Sequence, residues 1–181
     1  MKTRFILLAA VAAMCAACGP KVGPEPVGKR ADALDASAWD VSQWISVVNA
    51  PARVLSDENG DRAADGASWF LSTVKNGKKV TKAVWMTAGL GVYDLYVNGR
   101  LVGEEVLKPG FTHYAKTKRS FTYDITDAFV LRAGKENVLS AQVTPGWWAD
   151  KIVSNSDDFK GKKCAFRSVL ELTYADGSTE R

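Results

Sequence analysis

An antiparallel β-sandwich is the fold class this sequence predicts, and three observations predict it. The body after Ser68 is a series of short apolar runs separated by glycine, proline and asparagine. One separator is Asn98-Gly99, the strongest short hairpin signal, because both residues tolerate positive φ. No segment sustains a 3.6-residue apolar period beyond two turns, so no long helix competes for the core. No internal repeat is visible.

The elements follow in order. Val80 to Ala88 carries Val84, Trp85 and Met86 in one apolar run, as in a strand buried on both faces. Val92-Tyr-Asp-Leu-Tyr-Val97 alternates into the Asn98-Gly99 turn, and Leu101-Val102-Gly103 returns. Pro109-Gly110 marks another turn, and Ser120 to Ile125 another strand. Thr126 is placed to cap a short helical turn through Asp127, Ala128 and Phe129. Gly134 stops that turn, and Asn137 to Val143 resumes the strand pattern. In the last strand Cys164, Phe166, Ser168, Leu170, Leu172 and Tyr174 share one face, and Arg167, Glu171 and Thr173 the other. Cys164 is therefore expected as a small core residue rather than a reactive thiol. Asp176-Gly177 then signals a hairpin four residues before Arg181. That leaves little room for a return strand and predicts a sandwich truncated at its C-terminal end, in a chain that is a fragment.

The start of the chain reads differently. Lys2 and Arg4 precede an apolar run from Phe5 to Ala17, too short for a bilayer span of about 20 residues, so residues 1–17 read as an export signal. Ala16-Ala17-Cys18-Gly19 resembles a bacterial lipobox, with Cys18 as the lipidated residue, although Cys15 stands where leucine is usual. The expected location is a bacterial membrane, facing periplasm or cell surface. Residues 18–38, with three of the six prolines, read as a flexible tether, and 39–181 as the sandwich. Trp39 to Ile45 opens it with an aromatic segment, and Ser56 to Gly66 reads as a loop. The formal charge of +4 includes Lys2 and Arg4, and no basic stripe appears, which argues against nucleic acid as a partner. Of the three cysteines, Cys164 alone stays available to the mature domain, so no internal disulfide is expected.

A family comes into view at Gly89-Leu-Gly-Val-Tyr-Asp-Leu-Tyr-Val-Asn-Gly-Arg-Leu-Val-Gly103. The order continues with Val106-Leu-Lys-Pro-Gly-Phe-Thr-His-Tyr114, Tyr123-Asp-Ile-Thr-Asp127, Gly134-Lys-Glu-Asn-Val-Leu139, Thr144-Pro-Gly-Trp-Trp148 and Tyr174-Ala-Asp-Gly177. This set resembles the N-terminal β-sandwich domain of bacterial α-L-rhamnosidases of glycoside hydrolase family 78. Single pieces also occur in the jelly-roll, galactose-binding-like domains of β-galactosidases and β-glucuronidases. His113, and Thr144-Pro145 before the Gly-Trp, depart from the family pattern. The resemblance implies a jelly-roll sandwich that is not itself catalytic, with hydrolysis of terminal α-L-rhamnosides assigned to a later (α/α)6-barrel domain.

The residues agree with a non-catalytic chain. An inverting glycosidase needs two carboxyl groups roughly 6.5–9.5 Å apart. Glu104 and Glu105, adjacent on an expected strand, would point to opposite faces. Asp124 and Asp127 flank a turn and are expected to accept from backbone amides. His113 is the only histidine and has no nucleophile in a recognisable arrangement. Gly89-x-Gly91 lacks the third glycine and the helix of a dinucleotide loop, so it reads as a turn.

For sugar binding, or for packing against the catalytic domain, the candidates are Trp147 and Trp148 with Asp150, Lys151, His113 and Tyr114. Indoles stack on pyranose C–H faces, and polar neighbours select hydroxyls. Packing against a catalytic domain is the favoured of the two roles. Calcium is a candidate ion because family relatives include modules that bind rhamnose with calcium. Asn155, Asp157 and Asp158 are weak candidates for its oxygen ligands, and a solvated loop is the favoured reading of them. Two other roles stay open: a stand-alone, lipid-anchored sugar-binding protein, and the N-terminal domain of another exoglycosidase such as a β-galactosidase.

Overall fold

The computed structural model describes residues 25–46, 67–149 and 163–181. The expected export signal (residues 1–17), Cys18, the expected Ser56–Gly66 loop, and Asp150, Lys151, Asn155, Asp157 and Asp158 lie outside these residues.

Two antiparallel sheets face each other. One contains β1 (Lys29–Arg30), β7 (Ser120–Asp124), β4 (Val80–Leu90), β9 (Ala165–Tyr174) and β10 (Thr179–Glu180) in that order, with β2 (Ile45–Ser46) also paired to β9. The other runs β3 (Ser68–Lys75), β8 (Glu136–Thr144), β5 (Val92–Val97), β6 (Arg100–Leu101). This is the expected all-β sandwich. Among the described residues helix is limited to a 3-10 segment, Ala36–Val41, and the four-residue α1, Gly146–Ala149.

The hydrophobic pattern explains why β4 is central. Strands on both sides and packing on both faces bury it from Ala83 to Gly89. Ala83 and Trp85 join the main core, which includes Tyr93 and Leu95 of β5, Tyr123 of β7 and Leu139 and Ala141 of β8. Phe166 of β9 is its hub, with ring centroids 5.8 Å from Tyr93, 6.0 Å from Phe70 and 6.5 Å from Trp85. Each such pair adds about 0.5–1.5 kcal/mol beyond area burial. The predicted apolar face of β9 meets this core, and Cys164 packs at its edge.

The opposite face of the first sheet is covered too. Met86 and Val169 pack with Ala38 beneath the 3-10 segment. Arg167 lies over the Trp39 ring at 5.0 Å, and its guanidinium donates to the Trp39 carbonyl and, at 2.9 Å, to Ser42 Oγ. The expected boundary at Trp39 therefore falls earlier. Val27 is buried, its amide donates to Leu101 at 2.8 Å, and β1 pairs with β7. Val27 and residues 29–31 find sheet partners despite the prolines before them, and Ala38 is fully buried, so this part of the expected tether packs on the sandwich.

The turns carry three further findings. Asn98 (φ 51°) and Gly99 (φ 80°) form the predicted tight turn. After β7, Asp124 takes the capping role expected of Thr126: its Oδ1 accepts from the Thr126 amide at 3.0 Å. Thr126 Oγ1 instead accepts from the Ala83 amide at 3.0 Å and so ties the turn to β4. At the C-terminus the hairpin does have a return strand: Thr179 and Glu180 pair with Thr173 and Leu172. A tight turn at Gly177 leaves just enough chain for it, so the expected shortage of residues does not arise.

Candidate functional site

The site is built on the loop between β6 and β7. Gly103 ends β6: its φ of +76° leaves the strand, and an added Cβ would lie 2.5 Å from Tyr123 Cε1. Glu104 and Glu105 therefore sit on a loop and not on the expected strand. Glu104 is exposed, whereas Glu105 turns inward. Glu105 Oε2 accepts from the Tyr123 hydroxyl at 2.7 Å, and its Oε1 lies 3.3 Å from Arg30 Nε. Arg30 in turn stacks over Phe121, 4.5 Å from the ring centroid. Burial, and then the bond to Glu105, push the Tyr123 phenol well above its ordinary range.

Lys108 is the surprise of this loop. It is 1 % exposed, and its ammonium donates to the carbonyls of Val102 at 3.2 Å and Glu105 at 3.1 Å. Asp94 Oδ1 lies 3.8 Å from it, and burial holds the Lys108 pKa below its ordinary value. Its carbonyl also accepts from the Tyr93 amide at 2.8 Å, which pins the loop to β5. Nothing in the sequence marks this lysine, because a lysine before a Pro-Gly turn normally faces water.

Pinned in this way, the loop displays apolar side chains outward. Val106 is 82 % exposed, Leu107 56 % and Phe111 62 %. Leu107 holds a positive φ of 55°, a strained conformation for a branched side chain. Phe111 meets Tyr114 edge-on at 6.3 Å, and Tyr114 meets Trp148 edge-on at 5.3 Å. These three rings form one aromatic corner joining the loop to α1.

The predicted site residues fall as follows. Tyr114 and Trp148 come together, but as packing partners. Tyr114 is buried, which raises its phenol pKa, and its hydroxyl donates to the Gly110 carbonyl at 3.4 Å. Trp148 Nε1 donates to the Lys163 carbonyl at 2.9 Å, and both Trp147 and Trp148 are half-buried. Gly146 seats α1 against β5: at φ +44° an added Cβ would lie 2.4 Å from Val92 Cγ2. His113 is exposed, and its carbonyl accepts from the amides of Lys116 and Thr117 at 2.8 Å each. Asp124 and Asp127 accept from backbone amides, Asp127 from Gly28 at 3.2 Å. Among the described residues no three His, Cys, Asp or Glu side chains converge into a metal site. Val106, Leu107, Lys108 and Phe111 are the residues that sequence reasoning left unassigned. Phe111 alone carried a signal, as the aromatic of the Pro-Gly-Phe-Thr segment.

Comparison with known proteins agrees with this frame. Residues 78–181 match the family model described as the α-L-rhamnosidase N-terminal domain. An α-L-rhamnosidase of Streptomyces avermitilis is 40% identical over 104 residues, covering 58% of this chain and 10% of its own. One from Formosa agariphila is 31% identical over 160 residues, covering 80% and 16%. The native α-L-rhamnosidase of Aspergillus terreus superposes with a TM-score of 0.66 at 25% identity, covering 81% of this chain and 16% of that one. The chain thus spans only about a tenth to a sixth of the length of these relatives. With the family model covering more than half of the sequence, this chain belongs to the α-L-rhamnosidase N-terminal domain family.

Proposed function

We propose that this chain is the non-catalytic N-terminal module of an exported α-L-rhamnosidase, and that its loop corner seats it against the catalytic part of that enzyme. The carrying observation is the exposure of Val106, Leu107 and Phe111 on a loop held rigid by buried Lys108. Exposed apolar groups on a fixed, strained loop raise the free energy of an isolated domain, and burying them against a partner recovers it. The half-buried state of Trp147 and Trp148, and the bond from Trp148 to Lys163, favour packing over sugar stacking at that pair. Cleavage of terminal α-L-rhamnosides is assigned to residues of the partner domain. Export and lipid attachment rest on the basic-apolar start and on Cys18.

The test uses an antibody against this domain on source-cell fractions. The expected result is a membrane-bound polypeptide several-fold heavier than 19.6 kDa that hydrolyses a p-nitrophenyl α-L-rhamnoside, and that Cys18→Ser releases from the membrane. A band near 19.6 kDa would contradict the module reading and favour a self-contained sugar-binding protein. A heavy band in the soluble fraction would contradict the anchor.

A further inference from the structure

Of the six tryptophans, Trp69 is the most exposed, at 57 %. It stands on the outer face of β3, in one cross-strand row with Gln142 of β8 and Asp94 of β5. The next row along holds Leu71, Ser140 and Tyr96. The Trp69 and Tyr96 rings meet across β8, where Ser140 is too short to separate them. Their centroids are 5.6 Å apart and their planes inclined by 37°. The two rings thus bridge two strand spacings, about 9.5 Å, with an amide and a carboxylate beside them.

We propose that this face is a binding platform for a neutral pyranoside: its C–H face stacks on the Trp69 indole, and Gln142 and Asp94 read its hydroxyls. Two features choose a sugar over a protein. The row carrying the indole is otherwise polar, which suits a ligand with one apolar side and many hydroxyls. The Asp94 charge is countered from beneath by Lys108 at 3.8 Å, so the row offers acceptors without demanding a cation. The platform is separate from the Phe111 corner, and its role does not depend on docking there.

The experiment is an NMR titration of the ¹⁵N-labelled 181-residue chain, following the indole N–H signals. Methyl α-L-rhamnopyranoside and methyl β-D-galactopyranoside serve as probes. The expected result is a saturable shift of the Trp69 signal with at least one probe. Trp69→Ala should weaken binding by about tenfold or more, while Trp69→Phe, which keeps a ring, stays within about threefold. The remaining indole signals report that each variant is folded. No Trp69 shift with either probe, or shifts confined to Trp147 and Trp148, would overturn the proposal. So would sedimentation showing that Trp69→Ala converts a self-associated species to monomer, which would make this face an interface between copies.

Discussion

Lys108 Nζ sits 3.8 Å from Asp94 Oδ1, with the lysine buried and the aspartate half-exposed. The pair joins the loop after β6 to the outer face of the second sheet, and the ammonium also holds two loop carbonyls. Lys108→Met should therefore cost about 2–4 kcal/mol in urea unfolding, since it leaves buried carbonyls unpaired and the Asp94 charge uncompensated. The pH dependence has a definite sign. Burial lowers the folded-state pKa of Lys108 below its unfolded value of about 10.4, so between the two the unfolded chain binds more protons. The lysine's contribution to stability rises with pH through that window and is flat above about 10.4. The stability difference between wild type and Lys108→Met, followed against pH, should increase on the alkaline side.

Leu107 is held at φ 55° with more than half of its surface in water. Leu107→Gly removes the Cβ that makes this conformation costly and should raise the stability of the isolated domain by about 0.5–1 kcal/mol. Thermal unfolding reads it. A loss of stability would mean that the leucine is packed in the isolated domain and not displayed for a partner.

Asn137 is fully buried and makes four hydrogen bonds. Its Oδ1 accepts from the Val130 amide at 2.6 Å and the Asn98 amide group at 2.9 Å, and its Nδ2 donates to Asn76 and Val130. Asn137→Ala should lower stability by about 3 kcal/mol, the upper range for a buried polar group whose partners are stranded. Asn98→Ala should cost less, about 1–2 kcal/mol, because that residue borders solvent. Chemical denaturation of both variants checks the order.

Asp176 accepts from Lys78 Nζ at 2.6 Å, from Ser178 Oγ at 2.6 Å and from the Ser178 amide at 3.0 Å. These bonds lower its folded-state pKa. Its contribution is present above the unfolded value of about 3.9 and is lost as pH falls through the folded one. Asp176→Asn should lower stability at neutral pH, where the carboxylate contributes, and flatten the acid limb so that the two proteins converge as pH falls below about 4. Acid titration of both proteins by circular dichroism reads it.

Much of the frame was legible in the residues. The unbroken Val84-Trp85-Met86 run does mark the central strand, and Asn98-Gly99 does close a hairpin, since both signals act locally. Even the Asn of Gly134-x-x-Asn137 has a reason: it meets Asn98, so two separate motif positions are one contact. The expectations that failed depended on distant partners. Residues 27–31 looked like part of a tether because their strand partners lie at Leu101 and Thr122–Asp124. Thr126 looked like a cap because its true donor, Ala83, is 43 residues away. Lys108 could not be read as buried, because the carbonyls that solvate it belong to a loop whose path the sequence does not display. The aromatic corner was half legible: Tyr114 and Trp148 were singled out for sugar binding or interdomain packing, but their contact with each other shows in space alone.

The proposed seating requires that the Val106–Phe111 corner be buried in the working enzyme. Hydrogen–deuterium exchange over residues 103–119 should be compared between the 181-residue chain and the full polypeptide made by source cells. Slower exchange around Val106 to Phe111 in the full polypeptide, reversed by Phe111→Asp with a fall in kcat/KM on an α-L-rhamnoside, is the predicted result. Identical exchange in both, with Phe111→Asp leaving rhamnoside hydrolysis unchanged, would contradict it.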